Sequence, residues 1–185
     1  AASRLVVFGA GVQARSHLEA MRAVRPVEEV VVVSRTRERA EALVTEARAD
    51  GLEATVGEPA DVVDADLVCT CTTSTVPVVQ GALLSPGVHV NAVGAYTPEM
   101  REVDAEGVRR ARVVVETREA AMAEAGDLLL AMREGAVGVD HIAADLAEVV
   151  GGAAVRVSEE DVTLFKSVGV AFEDLVVASA AVDRR

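Results

Sequence analysis

The stretch Arg4 to Ala14, RLVVFGAGVQA, limits the possible folds more than any other part of the chain. Arg4 to Phe8 reads as a strand, apolar after its first residue, as strands covered on both faces are. It runs straight into Gly9-Ala10-Gly11-Val12-Gln13-Ala14, which fits the pattern G-x-G-x-x-G/A. Val12 to about Val24 then reads as a helix that stops ahead of Pro26. The glycine pattern alone is a common accident. Between a buried strand and a helix start it marks a Rossmann-type dinucleotide-binding turn. Gly9 permits the tight turn, Gly11 lets the backbone approach a pyrophosphate, and Ala14 keeps the helix close to the strand. Gly9, Ala10, Gly11, Val12 and Gln13 are therefore the expected phosphate-binding residues. The N–H groups at the helix start supply hydrogen-bond donors and partial positive charge.

The rest of the chain repeats the alternation. Strands are expected at Glu29 to Val33, Ala54 to Val56, Leu67 to Thr70, Val88 to Val93 and Arg112 to Val115. Between them, helices or helical turns are expected at Thr36 to Asp50, Pro59 to Asp64, Ala82 to Leu84 and Asp104 to Arg110. Strands separated by helices imply an α/β fold, a doubly wound parallel sheet with helices on both faces. After Glu116 the character changes: helices are expected at Glu119 to Met132 and Val139 to Val150, a break at Gly151-Gly152, a helix start or acidic turn at Ser158, and a terminal helix from Gly169 to Arg185. The domain reading is a dinucleotide-binding domain over residues 1–150 and a C-terminal segment over 151–185.

Composition excludes several classes. At 185 residues and 51% hydrophobic content, a single domain buries roughly 70% of its unfolded surface and needs no disulfide or metal to stabilise it. A net charge of −12 and the lack of a basic cluster argue against nucleic acid, whose binders neutralise phosphates. No apolar run approaches the ~20 residues that span a bilayer. Cys69 and Cys71 stand two apart in an apolar strand, on one face, where disulfide geometry is rarely met. They read as small buried hydrophobes of a chain kept in a reducing cytoplasm. No spacing of His, Cys, Asp or Glu picks out a metal.

The tip of the second strand refines the cofactor reading. About 20 residues past the turn, where an acidic residue takes the ribose hydroxyls of NAD, the chain reads Ser34-Arg35-Thr36. Arg35 offers a planar fork to a 2′-phosphate, flanked by two hydroxyls. NADP(H) is the expected cofactor, with NAD(H) as the lesser possibility; the competing reading leaves Arg35 solvated and Thr36 as a helix cap.

Four stretches, GAGVQARSHLEA (Gly9 to Ala20), VNAVGAYTPEMREVD (Val90 to Asp104), EAAMAEAGDLL (Glu119 to Leu129) and TLFKSVGVAFEDL (Thr163 to Leu175), together resemble the ornithine cyclodeaminase/mu-crystallin family. The resemblance implies an NAD(P)-dependent enzyme acting on a small α-imino or α-amino acid, such as a cyclic ketimine reductase or an amino-acid dehydrogenase. It also implies a homodimer in full-length form. The resemblance places Ser167, Val168 and Gly169 beside the nicotinamide; Asn91, Val93 and Gly94, at a strand end near the switch point, and Thr70 and Thr72, at the end of the fourth strand, are expected beside the cofactor from their position alone. In the family an N-terminal segment carries the arginine and lysine that handle the substrate, so the chain is expected to be a domain fragment, with Lys166 not filling that lysine's role. Tyr96 stands where cyclodeaminases carry an aspartate. A neutral phenol donates a hydrogen bond but makes a poor base, which favours C=N reduction. The alternatives are an ornithine cyclodeaminase with recycled NAD, a non-catalytic NADPH-binding module, and Tyr96 as a ring that only covers the nicotinamide pocket.

Overall fold

In the computed structural model, which describes residues 2–183, the chain forms a single parallel sheet of eight strands. In chain order the elements are β1 (Arg4–Phe8), α1 (Val12–Val24), β2 (Glu29–Val33), α2 (Arg37–Ala49), β3 (Glu53–Val56), β4 (Leu67–Thr70), β5 (His89–Ala92), α3 (Ala105–Arg110), β6 (Arg112–Val115), α4 (Arg118–Glu124), α5 (Gly126–Arg133), β7 (Ile142–Asp145), α6 (Leu146–Val150), β8 (Thr163–Lys166) and α7 (Ala171–Asp183). Short 3-10 helices occupy Pro59–Asp64, Gly81–Leu83 and Val139–His141. The order across the sheet is β3-β2-β1-β4-β5-β8-β6-β7. The direction of winding reverses between β1 and β4, which creates the crevice where ligands of such sheets bind.

Side-chain alternation along the strands builds two cores. Leu5 and Val7 of β1, Val30 and Val32 of β2 and Cys69 of β4 face α1 and α2, meeting Ala14, Leu18, Ala40, Leu43 and Ala47. Val6, Phe8, Val31, Val68 and Val90 face the other way, toward Val108 of α3, Ala121 of α4 and Leu128 of α5. Each buried valine or leucine removed from water stabilises by roughly 1.5–3 kcal/mol, which explains why these strands tolerate so few polar residues. Ala14 is fully buried, so α1 comes close to the sheet as its small side chain predicts.

All six expected strands are present, each within a residue or two of the expected ends. Two further strands are not where the sequence suggests. Ile142–Asp145 is β7, paired with β6, rather than the start of a helix; its alternating burial shows a period of two that its alanines disguise. Thr163–Lys166 is β8, inserted between β5 and β6. The sheet thus extends past residue 150, and the segment after it divides into β8, which belongs to the sheet, and α7, which has no buried residue. The expected helix Glu119 to Met132 is two helices that meet at Ala125. Ala125 departs from helical geometry (ψ 85°), and the next residue must be glycine, because a Cβ on Gly126 would lie 2.0 Å from the Met100 carbonyl oxygen and 2.4 Å from that of Thr97. Ser158 opens an acidic turn, in which the Asp161 carboxylate accepts the N–H groups of Val157 and Ser158. Of the expected terminal helix, Arg184 and Arg185 lie outside the described residues.

Candidate cofactor site

A cleft of about 630 Å³ opens at the C-terminal ends of β1, β2, β3 and β4. Gly9, Ala10 and Gly11 form its floor, Ser34, Arg35 and Thr36 one wall, Gly57 to Pro59 the far end, and Cys71 to Ser74 the opposite wall. Gly9 has φ +103°, and a Cβ on it would lie 2.6 Å from the Cys71 carbonyl oxygen, so the turn admits no side chain. Gly11 is different: a Cβ there meets nothing within 4 Å. Its lack of a side chain leaves room on the cleft side. Gly11 is also the N-cap of α1, with no side-chain cap and no acidic residue in the first turn. The first N–H groups of α1 therefore keep their donor capacity for an anion. These features fit the pyrophosphate of a dinucleotide.

At the second-strand tip Arg35, Arg37 and Arg39 all border the cleft. Arg37 is tied to Glu41, with Nε 2.8 Å from Oε1. Thr36 caps α2 by backbone geometry alone, without a side-chain bond, so the capping role considered for its hydroxyl is not used. Gln13 and Val12 are exposed on the first turn of α1, with Val12 at 78%. They contribute backbone to the turn and are not part of the cleft lining.

Beyond β4, the loops after β5 and β8 continue the same edge of the sheet. Val93 and Gly94 donate their N–H groups to the Thr70 carbonyl, at 3.0 and 3.2 Å, and Ser167 donates its own to the Ala92 carbonyl at 3.1 Å. Thr72, Val93, Gly94, Ser167, Val168 and Gly169 thereby lie on adjacent loops, though of these only Thr72 lines the cleft. Two expected contacts are not formed by side chains. The Thr70 hydroxyl is fully buried and donates to Glu102 Oε2 at 2.8 Å, beneath the cleft rather than in it. The Asn91 side chain points to the face of the sheet opposite Val90, where it meets His89 Nε2 and Cys69 Sγ; strand alternation, not loop chemistry, decides its direction. Tyr96 lies on the loop after β5 and is 52% exposed.

Three carboxylates and one lysine that sequence reasoning did not assign lie under these loops. Glu102 is fully buried. Its Oε1 accepts the Thr72 N–H at 2.6 Å and the Thr72 hydroxyl at 2.7 Å, and its Oε2 accepts the Thr70 hydroxyl and the Gly94 N–H, the latter at 2.7 Å. Burial raises the Glu102 carboxyl above the ordinary range, and the bonds from Thr72 and Thr70 oppose that rise. Four donors on two oxygens suit the ionised form. Asp127 Oδ1 accepts the N–H groups of Glu102 and Val103 at 2.7 and 2.8 Å, so it caps a neighbouring segment and not its own helix. Asp127 Oδ2 lies 3.1 Å from Lys166 Nζ, an approach too oblique for a hydrogen bond but close for a charge pair. Lys166 also donates to the Ala92 carbonyl at 3.1 Å. Glu116 holds the loop after β8, accepting the Ser167 hydroxyl at 2.6 Å and the N–H groups of Val168 and Gly169 at 2.9 Å. The detectable signal was modest: the chain's only lysine, Lys166, directly follows the apolar pair Leu164-Phe165 in an otherwise arginine-based sequence.

The two thiols behave as small apolar groups. Cys69 is buried, with its thiol pushed up to about 12 by desolvation, and desolvation also raises Cys71, which borders the cleft. Among the described residues no group of three or more His, Cys, Asp or Glu is arranged to hold a metal, and no helix is long and apolar enough to cross a membrane.

The whole chain, residues 1–185, matches the ornithine cyclodeaminase/mu-crystallin family. It belongs to that family. A Δ1-pyrroline-2-carboxylate reductase from Bacillus cereus is 38% identical over 99% of this chain and 58% of its own length. The ketimine reductase mu-crystallin of Rattus norvegicus is 42% identical over 97% of this chain and 54% of its own length. The structure of Thermococcus litoralis Δ1-pyrroline-2-carboxylate reductase, described in complex with NADH and L-proline, superposes with a TM-score of 0.92 at 35% identity, covering 96% of this chain and 56% of the other. The chain thus spans somewhat more than half the length of these relatives, and the part it spans is the doubly wound sheet.

Proposed function

We propose that the chain is the cofactor-binding part of an NADP(H)-preferring imine reductase that acts on a small, cyclic α-imino acid. The observation that carries this reading is the single cleft in which the uncapped start of α1, the bare Gly11 and the Ser34-Arg35-Thr36 rim converge. The turn takes the pyrophosphate on backbone N–H groups. Arg35 meets the 2′-phosphate, with Ser34 and Thr36 as hydroxyl donors and Arg39 adding charge one helical turn on. The loops at Thr72, Gly94 and Ser167 wall the remainder of the site and limit water there. Tyr96, on the Gly94 loop, would donate a hydrogen bond to the imine or its carboxylate, which a phenol can do and a carboxylate base cannot. Bound reduced nicotinamide supplies the hydride for the imine carbon. The protein's share is orientation and charge placement. The relatives named above support this substrate class, and the full-length protein is expected to dimerise.

The deciding experiment is a titration of the chain with NADPH and NADH, before and after Arg35→Asp. Loss of a charge-assisted contact weakens NADPH about 10–100-fold, while NADH affinity holds or improves. An unchanged ratio of the two affinities would sink the NADP assignment. The catalytic reading is tested on the full-length protein by NADPH oxidation with Δ1-pyrroline-2-carboxylate; release of ammonia and proline from ornithine without net reduction would assign it as a lyase instead.

A further inference from the structure

We infer that Glu102 is a positioning residue that clamps the loop after β4 to the loop after β5 and so sets the width of the nicotinamide half of the cleft. The inference rests on the cofactor reading above. Its basis is geometric. Glu102 is fully buried and outside the cleft lining, yet both of its oxygens are spent on two loops at the same edge of the sheet: Thr72, which lines the cleft, through N–H and hydroxyl, and Gly94, on the adjoining loop after β5, through N–H. The fourth donor, the Thr70 hydroxyl, comes from the end of β4 itself. A Cβ on Gly94 would lie 2.0 Å from the Thr72 carbonyl oxygen and 2.4 Å from Glu102 Oε1, so the two loops are drawn together until only glycine fits between them.

The clamp is itself held in place. The Glu102 N–H is donated to Asp127 Oδ1. The other oxygen of Asp127 faces Lys166, whose ammonium also holds the Ala92 carbonyl at the end of β5. One buried chain of polar groups therefore runs from the β4 loop through Glu102 and Asp127 to β8. A single acceptor shared by the two loops fixes their separation, and a charged acceptor does so more firmly than a neutral one. The adenosine half of the cleft, over β2 and β3, makes no contact with this chain of groups. The two halves should therefore respond differently when it is cut.

The test compares two ligands on the chain as it stands: NADPH, and 2′-phospho-ADP-ribose, which lacks only the nicotinamide. Glu102→Gln replaces one acceptor oxygen by an N–H₂ that confronts existing donors. NADPH affinity is expected to fall about tenfold, with affinity for the fragment within twofold of wild type and the emission gain of bound dihydronicotinamide lost. The chain has no tryptophan, so that emission is read against little background. Thr70→Val serves as the second variant, since it is nearly isosteric, lies outside the cleft and removes a single donor; a threefold loss confined to NADPH is expected. If both ligands weaken equally, or neither changes, Glu102 is only structural and the inference is overturned. If the wild-type chain binds neither ligand, the cofactor reading falls and the clamp with it. If the wild type binds NADPH no better than the fragment, the cofactor site stands but there is no nicotinamide grip for Glu102 to set.

Discussion

Replacing Asp127 by asparagine tests whether the buried charges are coupled as their geometry implies. Asp127 and Lys166 are 0% and 1% exposed, and Nζ stands 3.1 Å from Oδ2. Asparagine keeps Oδ1 for the N–H groups of Glu102 and Val103 but turns Oδ2 into a donor that faces an ammonium. Lys166 is left with the Ala92 carbonyl and no counter-charge within reach. Breaking a buried pair in this way costs about 3–5 kcal/mol. For a chain of this size each kcal/mol corresponds to roughly 2–4 °C, so the melting temperature should fall by about 10 °C. Lys166→Met alone should also destabilise, by stranding the carboxylate. In the double variant neither charge remains to be compensated, so its loss should fall about 2–3 kcal/mol short of the sum of the two single losses. Urea unfolding of the wild type, both single variants and the double variant closes the cycle. Losses that simply add, or an Asp127→Asn variant within about 1 kcal/mol of wild type, would refute the reasoning, since contacts in one network do not act independently.

Two further predictions concern the turn and the acid limb. Gly9→Ala forces a Cβ against the Cys71 carbonyl at a φ that side chains avoid; calorimetry should show a loss of roughly 2 kcal/mol or more, and dinucleotide titration should show binding abolished. Asp66 is held below the ordinary aspartate range, chiefly by the Arg4 N–H and also by that of Ser3. A carboxyl lowered in the folded state contributes stability above its unfolded value and loses it as pH falls through the folded one. The urea midpoint should therefore drop below about pH 4, and Asp66→Asn should flatten that acid limb; an equally steep limb in the variant would exclude Asp66 as its source.

Much of the fold was legible because its rules are local. A strand that runs into glycines and a helix is recognised within eleven residues, and Gly9 and Gly11 meet the conditions the pattern demands of them. That residue 35 borders the cleft was legible for the same reason, since its position follows from the length of one β-α-β unit. Residues whose role depends on distant partners were not legible. Ile142–Asp145 carries two alanines and precedes a capping box at Asp145 and Glu148, so local preference points to a helix. Only pairing with β6 makes it a strand. Thr163–Lys166 ends in a lysine that no exposed strand would need to bury, and its place is set by Asp127, 39 residues earlier. Glu102 looked like any surface glutamate in EMREVD. What distinguishes it is the convergence of Thr70, Thr72 and Gly94, which the chain brings together only after the crossover from β4 to β5.

The position of β8 bears on how the molecule can be made. The sheet is not laid down from one side to the other: β6 and β7 are completed before β8, yet β8 alone joins them to β5. Until residues 163–166 arrive, β5 and β6 each present an unpaired parallel edge with its N–H and C=O groups exposed, the kind of edge that invites pairing with another chain. Non-local closure of this kind is slow. The last strand therefore acts as a keystone, and a nascent chain must wait, half-assembled, for the residues that also carry its buried lysine into place.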